Sequence, residues 1–231
     1  MIHVPINAIT WSLGFVAFYT LTLKSRSSYR RTRNPLAQMY YWIGLSFGTG
    51  LFFFGVPGLF TQNLQVLSYS YFMADFFTQV TMQIGFWLMW FLGLRNRIRL
   101  RLLLAFTIPF SVVLMVLQGL TLRVELSQSP YLIEYLDQPP VLILKSIIYG
   151  AVSWPLGFFI LRQAPSQLTL SAKIKSAALG LAFILVSTAA IINNVFERGG
   201  DTKESATIVA IFFVVFFLAQ LLRPSSSGTR R

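Results

Sequence analysis

Seven apolar runs divide this chain, and each is long enough to cross a lipid bilayer. They lie at Val4–Leu23, Leu36–Phe60, Val66–Leu94, Leu102–Leu122, Val141–Leu161, Ile174–Val195 and Ala206–Leu222. A hydrocarbon core of about 30 Å needs roughly 20 residues of helix. No water is available there to satisfy peptide groups, and a helix satisfies them internally. Composition agrees: 55% of residues are hydrophobic and 11% are charged, against about 25% charged in ordinary soluble domains. The expected fold class is all-α, a polytopic membrane protein built as a seven-transmembrane-helix bundle. Residues 1–223 are read as one transmembrane domain, and 224–231 as a short, disordered basic tail.

Charge placement sets the expected orientation. Lys24, Arg26, Arg30, Arg31 and Arg33 follow the first run, and Arg95, Arg97, Arg99 and Arg101 follow the third. Arg162, Lys173 and Lys175 follow the fifth, and Arg223, Arg230 and Arg231 follow the seventh. These fifteen basic residues have no acid among them, whereas Glu125, Glu134, Asp137, Glu197, Asp201 and Glu204 all fall in the alternate loops. Basic residues stay in the cytoplasm during insertion, so the amino terminus is expected outside and the carboxy terminus inside. The first run lacks the basic leader of a cleavable signal peptide. The net charge of +12 is then a cytoplasmic rim that attracts anionic lipid headgroups, not a nucleic-acid surface. The prokaryotic plasma (inner) membrane is the expected location.

Several chemistries are excluded. There is no cysteine, and His3 is the lone histidine, so no thiolate centre or multi-histidine metal site can form. Intramembrane aspartyl catalysis needs two acids, and Asp75 is the only acid within a run. A covalent chromophore would need a lysine well inside a helix, where Lys145 of the fifth run is the candidate; the seventh run holds none. No catalytic residues, metal or cofactor are expected, and helix number does not identify a function.

The informative stretch is the third run. At about 100° per residue, Tyr71, Asp75, Gln79, Met82, Gln83, Phe86 and Trp90 share one side of a helix. An acid near the middle of a spanning helix costs at least ~2.5 kcal/mol and normally faces protein or water. Counted back from the basic loops at 1.5 Å per residue, Asp75, Gln118, Lys145 and Asn193 all lie about 25–30 Å away, in one layer near the outer boundary. Gln79 and Gln83 continue that layer inward. Either the layer is interfacial, with Lys145 snorkelling outward, or Asp75 and Lys145 pair inside the bundle as a structural clasp or a polar pocket.

Small residues mark where helices approach: Gly44 and Gly48; Gly150, Ser153 and Gly157; Ser176, Ala178, Gly180 and Ala182. The expected function is non-enzymatic, a receptor or sensor-type subunit binding a small ligand or lipid from the outer side. It would act through a membrane or cytoplasmic protein partner on the basic face. A small transporter and a structural subunit of a membrane complex are the alternatives.

Overall fold

Helix ends are written clearly in this chain. Asn34 accepts from the Leu36 amide at 2.9 Å to start one helix at Pro35. Asn63 accepts from the Gln65 and Val66 amides to start the next at Leu64. Both satisfy amides that a helix start otherwise leaves unpaired. The computed structural model describes residues 4–91, 97–128, 131–167, 170–195 and 203–221. They form α1 (Ile6–Thr32), α2 (Pro35–Phe60), α3 (Leu64–Met89), α4 (Arg97–Thr121), α5 (Pro139–Gln163), α6 (Leu170–Val195) and α7 (Lys203–Leu221). A 3-10 turn at Ala164–Ser166 extends α5. The expected tail at 224–231 lies outside the described residues.

Among the described residues, five helices are long and apolar enough to cross a membrane: α1, α2, α4, α5 and α6. The chain is therefore an integral membrane protein with several spanning helices. The apolar stretch of α7, Val209–Leu221, is shorter. In α3, Ser68, Ser70, Asp75, Thr78, Gln79, Thr81 and Gln83 dilute the apolar character. Hydroxyls within the helices turn back on their own backbone. Thr22 donates to Phe18 O, Thr78 to Ala74 O and Ser146 to Leu142 O, all at 2.9 Å. In an apolar medium this spares a hydroxyl the cost of being unpaired.

Two expected loops turn out to be ordered. The basic segment Lys24–Arg31, read as a loop, continues α1. It holds no Gly or Pro, and Lys and Arg favour the carboxyl end of a helix. Arg33, in the left-handed conformation, ends it by donating its amide to Tyr29 O at 2.8 Å. Between α4 and α5 the chain forms an antiparallel hairpin, β1 (Arg123–Gln128) and β2 (Tyr131–Leu136). Its sequence alternates: Val124 and Leu126 pair with Tyr135 and Ile133, while Glu125 pairs with Glu134. Period-two alternation puts the apolar set on one face, and that face packs on Ala8, Leu67 and Tyr71 at the end of the bundle.

The helices close into a ring. α1 packs on α2 and α7, α2 on α3, α3 on α5, α5 on α6, and α6 on α7. α4 sits outside, mainly against α3. Close crossings occur where small residues predicted them. A Cβ on Gly157 would meet the Gly180 carbonyl at 2.7 Å, and one on Gly180 would meet the Gly157 carbonyl at 2.8 Å. On the α1–α2 side, a Cβ on Gly44 would meet Thr22 Oγ1 at 2.6 Å. Such backbone approach drives helix association where lipid tails remove the hydrophobic advantage of packing.

Candidate functional site: a buried carboxylate–ammonium cluster beneath the hairpin

Lys145 projects from the second turn of α5, and its side chain leans toward the amino end of that helix, as helical side chains do. That direction leads to the hairpin end of the bundle. There the ammonium forms ion pairs with two carboxylates, Asp75 of α3 and Asp137, which follows β2. The Asp137 contact is 2.5 Å. Lys145 also donates to Tyr71 Oη at 3.3 Å and lies 4.8 Å from the centre of the Tyr71 ring. Tyr71 donates to Asp137 Oδ2 at 3.2 Å, and Tyr149 to Asp75 Oδ1 at 3.3 Å. Tyr135 stacks on Tyr71 at 4.1 Å, with Phe54 edge-on at 5.2 Å.

All three charged groups are buried; Asp75 is 1% exposed, Lys145 2% and Asp137 7%. Two carboxylates face one ammonium, so the fully ionised cluster carries a net negative charge. A buried ion costs several kcal/mol even after relaxation. Holding an ordinary aspartate protonated at neutral pH costs about 4 kcal/mol, a comparable amount. Burial pushes the Asp137 carboxyl above its ordinary range, Lys145 pulls it back, and Asp75 adds to the rise. Asp137 Oδ1 has no hydrogen-bond partner among the described residues.

Next to the cluster lies a cavity of about 120 Å³ inside the helix ring. Roughly 150 Å³ is enough to take benzene. Its walls come from α1, α2, α3, α5, α6, α7 and Tyr135 of the hairpin, and none from α4. Trp11, Phe18, Phe47, Phe54 and Phe183 make it aromatic; Asp75, Lys145, Tyr71 and Tyr149 make one end polar. Among the described residues no group of three or more acids or histidines is placed to hold a metal ion.

The predicted polar layer separates into parts. Asp75 and Lys145 meet inside the bundle. Gln79 and Gln83 turn instead toward α4, contrary to the expectation that they continue the Asp75 pocket. Ser111 donates to Gln79 Oε1 at 2.9 Å, Gln83 Nε2 donates to Ser111 Oγ at 3.1 Å, and Thr107 donates to Gln83 Oε1 at 2.7 Å. Each four-residue step turns the side chain by about 40°, so Gln79 and Gln83 swing progressively from Asp75 toward α4, and α3 is flanked on two sides, by the ring and by α4. Gln118 is fully buried on α4, and neither its amide nitrogen nor its oxygen has a hydrogen-bond partner among the described residues. Asn193 lies on α6, but its side chain is outside the described set.

Sequence reasoning missed Asp137, placing it among the acids of an outer loop. The signal was present: an acid two residues ahead of Pro139, eight residues before the lysine inside the fifth apolar run. Tyr135 was missed with the hairpin that carries it. No known protein family matches the chain, and comparison with curated proteins finds no similar sequence.

Proposed function

We propose that this is a seven-span receptor or sensor-type protein that binds a small ligand in the cavity beneath the hairpin. The carrying observation is the joint placement of an aromatic cavity and the buried Asp75–Lys145–Asp137 cluster. Pockets of this kind, mostly apolar with a few convergent polar groups, are the usual form of small-molecule sites. In this reading the hairpin end faces outward and the basic helix ends face the cytoplasm, following the charge asymmetry. The membrane is a prokaryotic plasma membrane, and the basic face meets anionic lipid and a partner protein that carries the output.

The test is a thermal-shift screen of small aromatic and amphiphilic compounds on the purified protein. Hits should stabilise the wild type and lose their effect in Ala190→Phe, which narrows the cavity from α6 and replaces no residue of the cluster. Stabilisation that survives this substitution would count against the cavity.

A second reading is favoured by the Gln79–Ser111–Gln83–Thr107 chain, which extends polar contacts from the level of Asp75 toward the basic end. It makes the protein a small ion-translocating subunit. Flux into proteoliposomes that is lost in Gln83→Leu would support it; ligand stabilisation without flux would favour the receptor reading.

A further inference from the structure

We propose that Asp75, Asp137 and Lys145 form a binding site for one proton beyond the ammonium's own, through which pH controls the seating of the β1–β2 hairpin. The inference needs no ligand and stands on charge and geometry. The three groups are within ion-pair distance of one another through Lys145. Two negative charges and one positive leave an unbalanced charge in an apolar bundle. Adding one proton makes the cluster neutral without breaking the Asp75–Lys145 pair. Asp137 carries an oxygen, Oδ1, that has no hydrogen-bond partner among the described residues and at which the proton can sit.

The groups facing Asp137 can be named from every side. α3 supplies Asp75 and Tyr71, α5 supplies Lys145 and Tyr149, and β2 supplies Tyr135 stacked on Tyr71. The cavity walls of α1, α2, α6 and α7 are uncharged. Glu134 lies on the opposite face of the hairpin from Tyr135. β1 brings Arg123 opposite Leu136, but its side chain is exposed, so among the described residues no further buried cation balances the second carboxylate.

The link to the hairpin is covalent and short. Asp137 follows the last residue of β2, Leu136. The hairpin is held on the bundle by Asn7, which donates to Ile133 O at 2.8 Å and accepts from Ile133 N at 3.2 Å, and by the Tyr71–Tyr135 stack. Lifting it carries Asp137 into water, where its carboxyl regains an ordinary affinity for protons of about 3.9. The seated state then binds one more proton than the lifted state. By linkage, seating is fully favoured below the ordinary carboxyl value and weakens tenfold per pH unit above it. The decline ends once pH passes the higher value of the seated state.

Infrared spectroscopy of the protein in lipid nanodiscs reads the proton directly, through the carbonyl stretch of protonated carboxyl groups. The expected result is a protonated-carboxyl band at neutral pH that disappears in Asp137→Asn and also in Asp75→Asn, because either change leaves one acid for one ammonium. A band that persists in either variant, or its absence from the wild type, overturns the proposal. Should a variant fail to fold, the wild type is titrated alone, with spin labels at Glu125→Cys and Leu64→Cys reporting hairpin distance on the cysteine-free background. Loss of the band and lengthening of that distance over the same pH window support the proposal; a distance that ignores the band's titration overturns it.

Discussion

Lys145 Nζ lies 2.5 Å from Asp137 Oδ2, although the two residues sit on opposite sides of a helix start and eight positions apart. The approach follows from helix geometry. A lysine in the second turn leans toward the amino end of its helix. The acid waits there, in the extended chain ahead of Gln138 (φ −65°, ψ 145°). Lys145 thus ties three elements together, because Asp75 reaches it from α3. Replacing it removes the only cation among them. Lys145→Met is expected to cost about 3–5 kcal/mol, the usual consequence of stranding a buried charge. Adding Asp75→Leu to that variant should recover a large part of the loss by removing one stranded carboxylate. Denaturant unfolding in detergent measures both, and a Lys145→Met protein as stable as wild type would show that the cluster is solvated.

The hairpin depends on a two-way hydrogen bond between Asn7 and the backbone of Ile133. Both partners are buried. Asn7→Leu leaves a buried amide and carbonyl of Ile133 unpaired, at about 1–3 kcal/mol for the loss. The effect should be local. Hydrogen exchange is expected to rise across 123–136 while the α5–α6 crossing keeps its protection. Uniform loss of protection across all helices would mean that the hairpin is integral to the bundle's folding, not a separately seated element.

Much of this arrangement could be read from the chain, and the exceptions have physical causes. Asp75 and Lys145 stood out because charge is expensive inside an apolar run, which left two readings open, an interfacial layer or a pair inside the bundle. Asp137 did not, since an acid in a short connecting segment is ordinary on a surface; only the return of the hairpin over the bundle buries it. The alternation in 123–136 signalled strands, but against a background of long apolar helices it read as a loop. Gln79 shares a helix face with Asp75 by angle alone. Which of two neighbours a side chain meets depends on where α4 docks, and periodicity carries no information about that.

Crossing distance makes a sharp prediction for α5 and α6. A Cβ on Gly157 would stand 2.7 Å from the Gly180 backbone oxygen, which cannot move without its helix. At Gly150 the nearest atom is the flexible end of Ile191, at 3.3 Å. Gly157→Ala should therefore destabilise by about 1–3 kcal/mol through overpacking, whereas Gly150→Ala should be nearly neutral. Thermal unfolding of the two single variants decides it, and equal effects would mean that the helices do not cross at Gly157.

The attachment of α4 rests on few contacts, and Ser111 is at their centre. Its hydroxyl donates to Gln79 Oε1 and accepts from Gln83 Nε2, so one oxygen joins both glutamines to α4. Elsewhere α4 presents apolar side chains outward; Phe106 is 76% exposed and Leu120 79%. In lipid those side chains gain nothing by turning inward, so interhelical hydrogen bonds carry much of the specificity. Ser111→Ala removes two such bonds, each worth about 0.6 kcal/mol on average in membrane proteins. The total is small against global stability but large for a helix held mainly by one neighbour. Exchange of the α4 amides should accelerate several-fold while the ring helices, which contribute every helical wall of the cavity, keep their protection. Faster exchange throughout the ring would place α4 inside the cooperative core, and the ladder would then be a structural tie for the whole bundle.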